Sequence, residues 1–418
     1  MSGFPEFIYR DNELFVESVP LKQIAVEFGT PCYVYSRSAL TKAYQEFDSS
    51  FVNQDHLICY AVKANSNIAI LNLFAQLGSG FDIVSGGELL RVIKAGGDPQ
   101  KTVFSGVGKN THEMRMALDA NILCFNVESE DELLTLNQIA KDMGKIAPVS
   151  LRVNPDVDAK THPYISTGLK ENKFGIPASE AERIYYSARQ YTHIHFTGLD
   201  CHIGSQLTDL EPFMQASNKM LNLLNNLQSQ GLEIKHLDLG GGLGIRYTNE
   251  TPPSIKDYVS ALCANTRQIK QRLLIEPGRS LVGNSGILLT RIEYLKHTPA
   301  RNFAIVDAAM NDLMRPALYD AYHEILPIAR NNGEIKNYQI VGPICETGDF
   351  LGHDRELSLA TGDLLAIMSA GAYGMSMSSN YNTRPRAAEV MIDKSTIHVI
   401  RQRETIEQLI ATERILSS

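Results

Sequence analysis

Residues 57–95 read LICYAVKANSNIAILNLFAQLGSGFDIVSGGELLRVIKA. The run 57–62 is apolar, rich in β-formers and too short for a buried helix, so it predicts a strand. Residues 66–77 carry helical amphipathicity, 80–84 predict a second strand and 86–95 a second helix. Outward from this stretch the rhythm repeats. Further strands are expected at 102–105, 122–126, 148–153, 194–200, 235–239 and 272–276. Helices are expected at 38–48, 110–120, 129–143, 178–190, 209–230 and 254–270. Ser129, ahead of Glu130-Asp131-Glu132, and Thr208, ahead of Asp209 and Glu211, are expected to cap two of them. Eight strands alternating with helices over about 240 residues match the size of a parallel (β/α)8 barrel. A doubly wound open sheet alternates in the same way, and periodicity does not separate the two.

After Glu276 the rhythm changes. Strands with turns between them and little helix are expected at 286–295, 302–307, 338–342, 364–368, 388–392 and 396–401, which is a second, mainly β unit. The first 37 residues are also strand-like, at Glu13 to Val16 and Cys32 to Tyr35, and are expected to complete that unit. Glu404 to Leu416 reads as a short amphipathic helix. The composition is that of a globular chain, with 418 residues, 44% hydrophobic and 21% charged. With 39 Lys+Arg against 47 Asp+Glu, a net charge of −8 and no long basic block, the chain is a poor binder of nucleic acid or anionic membrane. No apolar run reaches the ~18–20 residues that span a bilayer. Met1 to Glu6 carries neither a basic n-region nor an apolar h-region, so no secretion signal is expected. Six cysteines without a CxxC pair fit a reduced, cytoplasmic chain.

Polar and Gly-rich positions gather just past the strand ends, where barrels of this kind carry their chemistry. Lys63 closes the strand Cys59-Tyr60-Ala61-Val62. It either reaches water from a strand mouth or is an amine of lowered pKa that forms a Schiff base. Gly240-Gly241-Gly242-Leu243-Gly244 follows a strand and offers backbone N–H groups as a nest for a phosphate, or is only a tight turn. Its spacing is not the dinucleotide fingerprint, because the third glycine position is Ile245 or Tyr247. In Glu276-Pro277-Gly278-Arg279, the carboxylate suits a protonated heterocyclic nitrogen and the guanidinium suits a carboxylate, or the two form a surface ion pair. His202 could stack on an aromatic ring and Ser205 could donate to a phosphate, or His202 is structural. His193 and His195 share a strand face, yet no third ligand stands at metal-site spacing. Cys345 and Tyr373 read by default as a buried thiol and a packed aromatic, and Arg315 and Tyr319 as rim residues.

Together these pieces resemble the diaminopimelate decarboxylase family, pyridoxal-phosphate enzymes of the alanine-racemase-like fold type, over essentially the whole chain. The resemblance rests on Tyr60-Ala61-Val62-Lys63-Ala64-Asn65, on Phe81 to Glu88, on His202-Ile203-Gly204-Ser205-Gln206, on Gly240 to Gly244 and on Glu276-Pro277-Gly278-Arg279. It continues through Met310 to Tyr319 and Gly342-Pro343-Ile344-Cys345-Glu346, and Thr347 stands where the family usually shows Ser. It implies an N-terminal segment 1–37, a cofactor-binding (β/α)8 barrel at 38–285 and a mainly β domain at 286–418.

It further implies that pyridoxal 5'-phosphate is joined to Lys63. Glu276 would hold the pyridine nitrogen protonated and His202 would stack on the ring. Ser205, Gly240, Gly241, Gly242 and Tyr373 would fix the phosphate, with Gly278 and Arg279 beside the cofactor and Asp82 and Glu88 supporting it. The implied substrate is meso-diaminopimelate, decarboxylated at its D centre to L-lysine. Arg279, Arg315 and Tyr319 would hold the distal carboxylate, Glu346 the distal ammonium, and Tyr373 also lines the substrate. Cys345 would return the proton. By the family pattern Cys345 and Glu346 come from the partner protomer of a two-fold homodimer with shared active sites. An ornithine, arginine or carboxynorspermidine decarboxylase of the same fold is the nearest competing reading. The arginine pair argues against an ornithine-type substrate, which has no distal carboxylate. A non-catalytic carrier of the cofactor would resemble the barrel alone. An alanine racemase would need a tyrosine opposite the lysine.

Overall fold

The computed structural model describes residues 6–158 and 173–416, so all of the opening stretch read for a secretion signal except Glu6 lies outside the described residues. Eight parallel strands form the first unit: β1 His56–Ala61, β2 Gly80–Ile83, β3 Thr102–Phe104, β4 Cys124–Val127, β5 Ala147–Asn154, β6 Ile194–Asp200, β7 His236–Asp238 and β8 Arg272–Ile275. Each pairs with the next, and β8 returns to β1 through Leu273↔His56, Leu274↔Leu57 and Ile275↔Ile58. That last pairing closes the ring and excludes the open sheet. The strands are short apolar runs buried along almost their whole length, as parallel strands covered on both faces must be.

Helices follow the strands from Ile68–Gln76 to Ile255–Asn265. Ser129 caps Glu130–Asp142 by accepting from Glu132 N at 3.2 Å. Thr208 does not cap. The next helix, Glu211–Ser229, starts from Leu210 without a side-chain cap, and Asp209 Oδ1 takes the Glu211 N–H at 3.0 Å, because Pro212 in the first turn brings no N–H to satisfy. The last barrel helix stops at Asn265 rather than 270, where Thr266 Oγ1 bonds back to the Leu262 carbonyl at 2.8 Å.

The second unit gathers the described residues up to Lys42, the segment Arg246–Asn249 and the chain from Val282 onward. Its long strand Gly286–His297 pairs antiparallel with Cys32–Ser36, which pairs parallel with Ala388–Asp393. The N-terminal strand therefore lies inside the sheet and completes the mainly β domain. Cys32, Val34, Ile287, Leu289, Val390 and Ile392 pack as one core there. Among the elements not anticipated are helix Leu21–Phe28 and strand Phe350–Leu357, whose charged residues suit a sheet edge. The expected C-terminal helix shrinks to Ile406–Ile410, held by a Thr405/Gln408 capping box. Among the described residues no helix is long and apolar enough to cross a membrane.

Candidate active site

In the barrel unit, Lys63 sits in the single turn Val62–Ala64 that leaves β1. Its Nζ donates to Asp82 Oδ2 at 2.5 Å, with the lysine side chain 38% exposed and the aspartate fully buried. The amine thus faces a buried carboxylate while its side chain stays partly exposed. The second oxygen, Asp82 Oδ1, has no hydrogen-bond partner among the described residues. Ser85 caps the helix Gly86–Lys94, and Glu88 Oε2 takes the Val84 N–H ahead of that cap at 2.7 Å. Burial pushes its carboxyl up to about 7, the neighbouring Asp82 adds to the shift, and Lys63 opposes it.

The far side of the mouth is acidic. Arg152, Asp200 and Asp238 are aligned neighbours across β5, β6 and β7, so their side chains form one row. Asp200, Asp238 and Glu276 are all buried and bring carboxylate oxygens within 4.8 Å of one another. Asp200 Oδ1 and Asp238 Oδ2 have no partner among the described residues. Glu276 Oε1 accepts weakly from Ser105 Oγ and Asn126 Nδ2, both at 3.4 Å. Burial first, then Asp82, Asp238 and Asp200, push Glu276 well above the usual carboxylate range. Like charges this close oppose one another's ionisation, which adds to the upward shift of Glu276. Arg152 is held by Glu128 at 3.0 Å and is the guanidinium built into this row. His193 and His195 are not part of any three-ligand group among the described residues.

The glycine run is a cradle by close approach. A Cβ on Gly241 would lie 2.1 Å from the Glu276 carbonyl oxygen, and one on Gly240 2.4 Å from that of Cys201. Gly240 also sits at φ +67°, and Gly242 would meet the Gly204 carbonyl at 2.5 Å. Gly241 N donates to His202 Nδ1 at 3.1 Å. That bond makes Nδ1 the acceptor, so His202 is the neutral Nε2–H tautomer. Burial, with the positive charges of Arg152 and Lys63, holds the imidazole well below its usual pKa. Arg279 is buried, and its Nη2 donates to Ser205 Oγ at 3.0 Å, so it is not the surface ion pair that a turn after a strand would suggest. Gly278 is a packing position, because a Cβ there would touch those of Ala61 and Ala64 at 3.1 Å.

In the β unit, Arg315 opens the short helix Arg315–Tyr319 and is buried, while Tyr319 is half-buried. Arg315 is therefore not a rim residue. Tyr373 is half-buried and held at φ +56°, a strained setting for a bulky side chain. Cys345 is exposed, against the default of a buried thiol, and the other five cysteines are not. Its N–H donates to Asn382 Oδ1 at 3.2 Å, and exposed Glu346 accepts from Tyr381 OH at 2.8 Å on Oε1.

The sequence reading missed Asp200, Asp238, Arg152 and Asn126. Their signal was present as single polar residues inside otherwise apolar strands, where an unpartnered charge is expensive.

The family described as pyridoxal-dependent decarboxylase, pyridoxal binding domain, matches residues 37–283. A diaminopimelate decarboxylase of Pseudomonas aeruginosa is 57% identical over 410 residues, covering 98% of this chain and 99% of that one. The Helicobacter pylori diaminopimelate decarboxylase crystallised with L-lysine superposes with a TM-score of 0.91 at 43% identity, over 94% of this chain and 99% of the other. The enzyme of m. jannaschii in complex with L-lysine superposes at 0.95 with 40% identity, over 100% and 99%. Likeness of this extent, spanning both units, settles the family: the chain belongs to the pyridoxal-dependent decarboxylases, and among them to the diaminopimelate decarboxylases.

Proposed function

We propose that this chain decarboxylates meso-2,6-diaminopimelate at its D centre, yielding L-lysine and carbon dioxide, with pyridoxal 5'-phosphate as cofactor. The observation that carries the proposal is the Lys63 amine at the barrel mouth, set against buried Asp82 at 2.5 Å and within electrostatic reach of the buried acid Glu276. The residues present fit that cofactor. Buried Glu276, with Asp82, Asp238 and Asp200 around it, suits a cationic ring N–H, and Asp82 Oδ1, Asp200 Oδ1 and Asp238 Oδ2 have no hydrogen-bond partner among the described residues. The glycine turn has no room for side chains at Gly240, Gly241 and Gly242, and its Gly240 and Gly241 N–H groups donate to Asp238 Oδ1 and His202 Nδ1.

When bound, the cofactor supplies an electron-poor ring that accepts the electron pair left at the substrate carbon as carbon dioxide departs. The remaining work falls to the chain. Lys63 would hold the cofactor's aldehyde carbon, and Asp82 would keep its ammonium in place when the substrate amine takes over. Glu276 would keep a proton on the ring nitrogen. His202, fixed neutral by Gly241, would lie against the ring face, and Ser205 with Gly240 to Gly242 and Tyr373 would hold the phosphate. Arg279, Arg315 and Tyr319 are assigned to the distal carboxylate, Glu346 to the distal ammonium, and Cys345 to donating the Sγ proton to the decarboxylated carbon.

The proposal includes a two-fold homodimer in which Cys345 and Glu346 of one protomer serve the barrel of its partner. Their exposure on a single chain supports it. A cytoplasmic setting is proposed with it, supported by six free thiols. The test is carbon dioxide and lysine release across a panel of meso-diaminopimelate, ornithine, arginine and carboxynorspermidine. Turnover of meso-diaminopimelate is expected to exceed the others and to fall by about 10³-fold or more in Lys63→Ala. Cofactor-loaded protein that turns over none of them would leave the carrier reading standing. Mixing Lys63→Ala with Cys345→Ala is expected to restore part of the activity through one intact shared site. Subunit exchange without restoration would refute sharing.

A further inference from the structure

Arg315 is one of the residues assigned above to the distal carboxylate, and a residue beyond its own short helix meets its side chain. The helix Arg315–Tyr319 ends at Asp320 in the left-handed conformation, and the chain then doubles back. This returns His323 to Arg315: its Nε2 lies 2.8 Å from Arg315 Nη1, and its Nδ1 lies 2.8 Å from the Met368 carbonyl. His323 is fully buried and Arg315 is 6% exposed.

A guanidinium has no lone pair to offer, so His323 Nε2 accepts and His323 Nδ1–H donates to Met368. One neutral tautomer is specified from both ends. Met368 N in turn donates to the Glu324 carbonyl at 2.8 Å, where strand Ile325–Pro327 pairs with Leu364–Ile367. The imidazole is thus bolted to the sheet on its far side. The ring of Tyr247, in the segment Arg246–Asn249, completes the mount. Its centroid lies 4.7 Å from Arg315 Cζ and 5.4 Å from the His323 ring, which meets it edge-on at 78°. The hydrogen bond fixes the rotation of the guanidinium in its plane, and the aromatic face fixes the plane itself. Unlike a carboxylate, a neutral imidazole aligns a guanidinium without cancelling its charge.

We propose that His323 is the positioning residue that aims Arg315 at the distal carboxylate of the substrate, and so sets preference for ligands that carry that carboxylate over those that lack it. This rests on the functional reading above and deepens it. The test is calorimetric titration of the cofactor-loaded enzyme with L-lysine, whose carboxylate stands for the distal one, and with 1,5-diaminopentane, which has none. His323→Phe keeps the ring against Tyr247 and removes the acceptor. It is expected to weaken L-lysine by about 10- to 100-fold, the range for losing a hydrogen bond to a charged group, and to leave 1,5-diaminopentane within about 3-fold. His323→Gln, which keeps an acceptor and a donor, is expected to restore most of the L-lysine affinity. If His323→Phe does not fold, His323→Asn takes its place, being too short to span both partners, with the same selective loss expected. Unchanged L-lysine affinity in the folded variant, or equal loss of both ligands, would overturn the inference. Wild-type enzyme that releases no carbon dioxide from meso-diaminopimelate would instead overturn the reading beneath it.

Discussion

Glu276 concentrates the electrostatics of the barrel mouth. Burial and three neighbouring aspartates disfavour its charged form, against the opposing pull of Lys63. A neutral side chain of the same shape therefore costs the apoprotein little, since Gln keeps an oxygen for the weak donors Ser105 and Asn126. Glu276→Gln is expected to leave the apoprotein Tm unchanged or raised, while kcat falls by about 10²- to 10⁴-fold with loss of the acid proposed to hold the ring proton. Thermal scans and steady-state rates on the same preparation check both halves. The residue itself was legible in the sequence, because a Glu-Pro-Gly-Arg run after an apolar strand is conspicuous. Its companions Asp200 and Asp238 were not, because one aspartate at the end of Thr197-Gly198-Leu199-Asp200 says nothing about what faces it across the barrel.

At the scale of elements, the glycine turn after β7 and the loop after β8 touch through their backbones. Gly241→Ala would drive a methyl to 2.1 Å of the Glu276 carbonyl, so the two strand ends must part. Cofactor affinity, followed by absorbance titration, is expected to fall by about 100-fold with a lower Tm, from strain of a few kcal/mol. Gly108→Ala, with nothing within 4 Å of the added methyl, is the control and should change neither. Reading the run as a cradle needed only the sequence. Reading it as the joint between two strand ends needed the closed ring. Helix starts show the same division: Ser129 caps as its local sequence dictates, whereas Asp209 takes over from Thr208 because Pro212 shifts where the helix can begin.

Across the whole molecule, buried carboxyls set how stability responds to pH. Burial raises Asp312, in the β unit, to about 7 from 3.8, and Glu88, in the barrel, to about 7 from 4.5. Each group then binds its proton more tightly in the native protein than in the unfolded chain. Stability from these groups is fully present below about pH 4 and is lost as pH rises through about 7. Tm scans from about pH 5 to about pH 8 are expected to fall less steeply for Asp312→Asn than for wild type. A slope equal to that of wild type would show that Asp312 ionises freely when folded.

The sequence by itself determined the alternation of strand and helix, the change to a mainly β unit after Glu276 and the residue types at the strand mouths. These are local properties: period, length and turn chemistry act within a few residues. Only the tertiary structure decided that β8 meets β1, that Cys32–Ser36 pairs between Gly286–His297 and Ala388–Asp393, that three buried carboxyls converge, and that His323 returns to Arg315. Each of those depends on which residues, far apart along the chain or across a turn, lose water together, and that is fixed by packing rather than by any one segment.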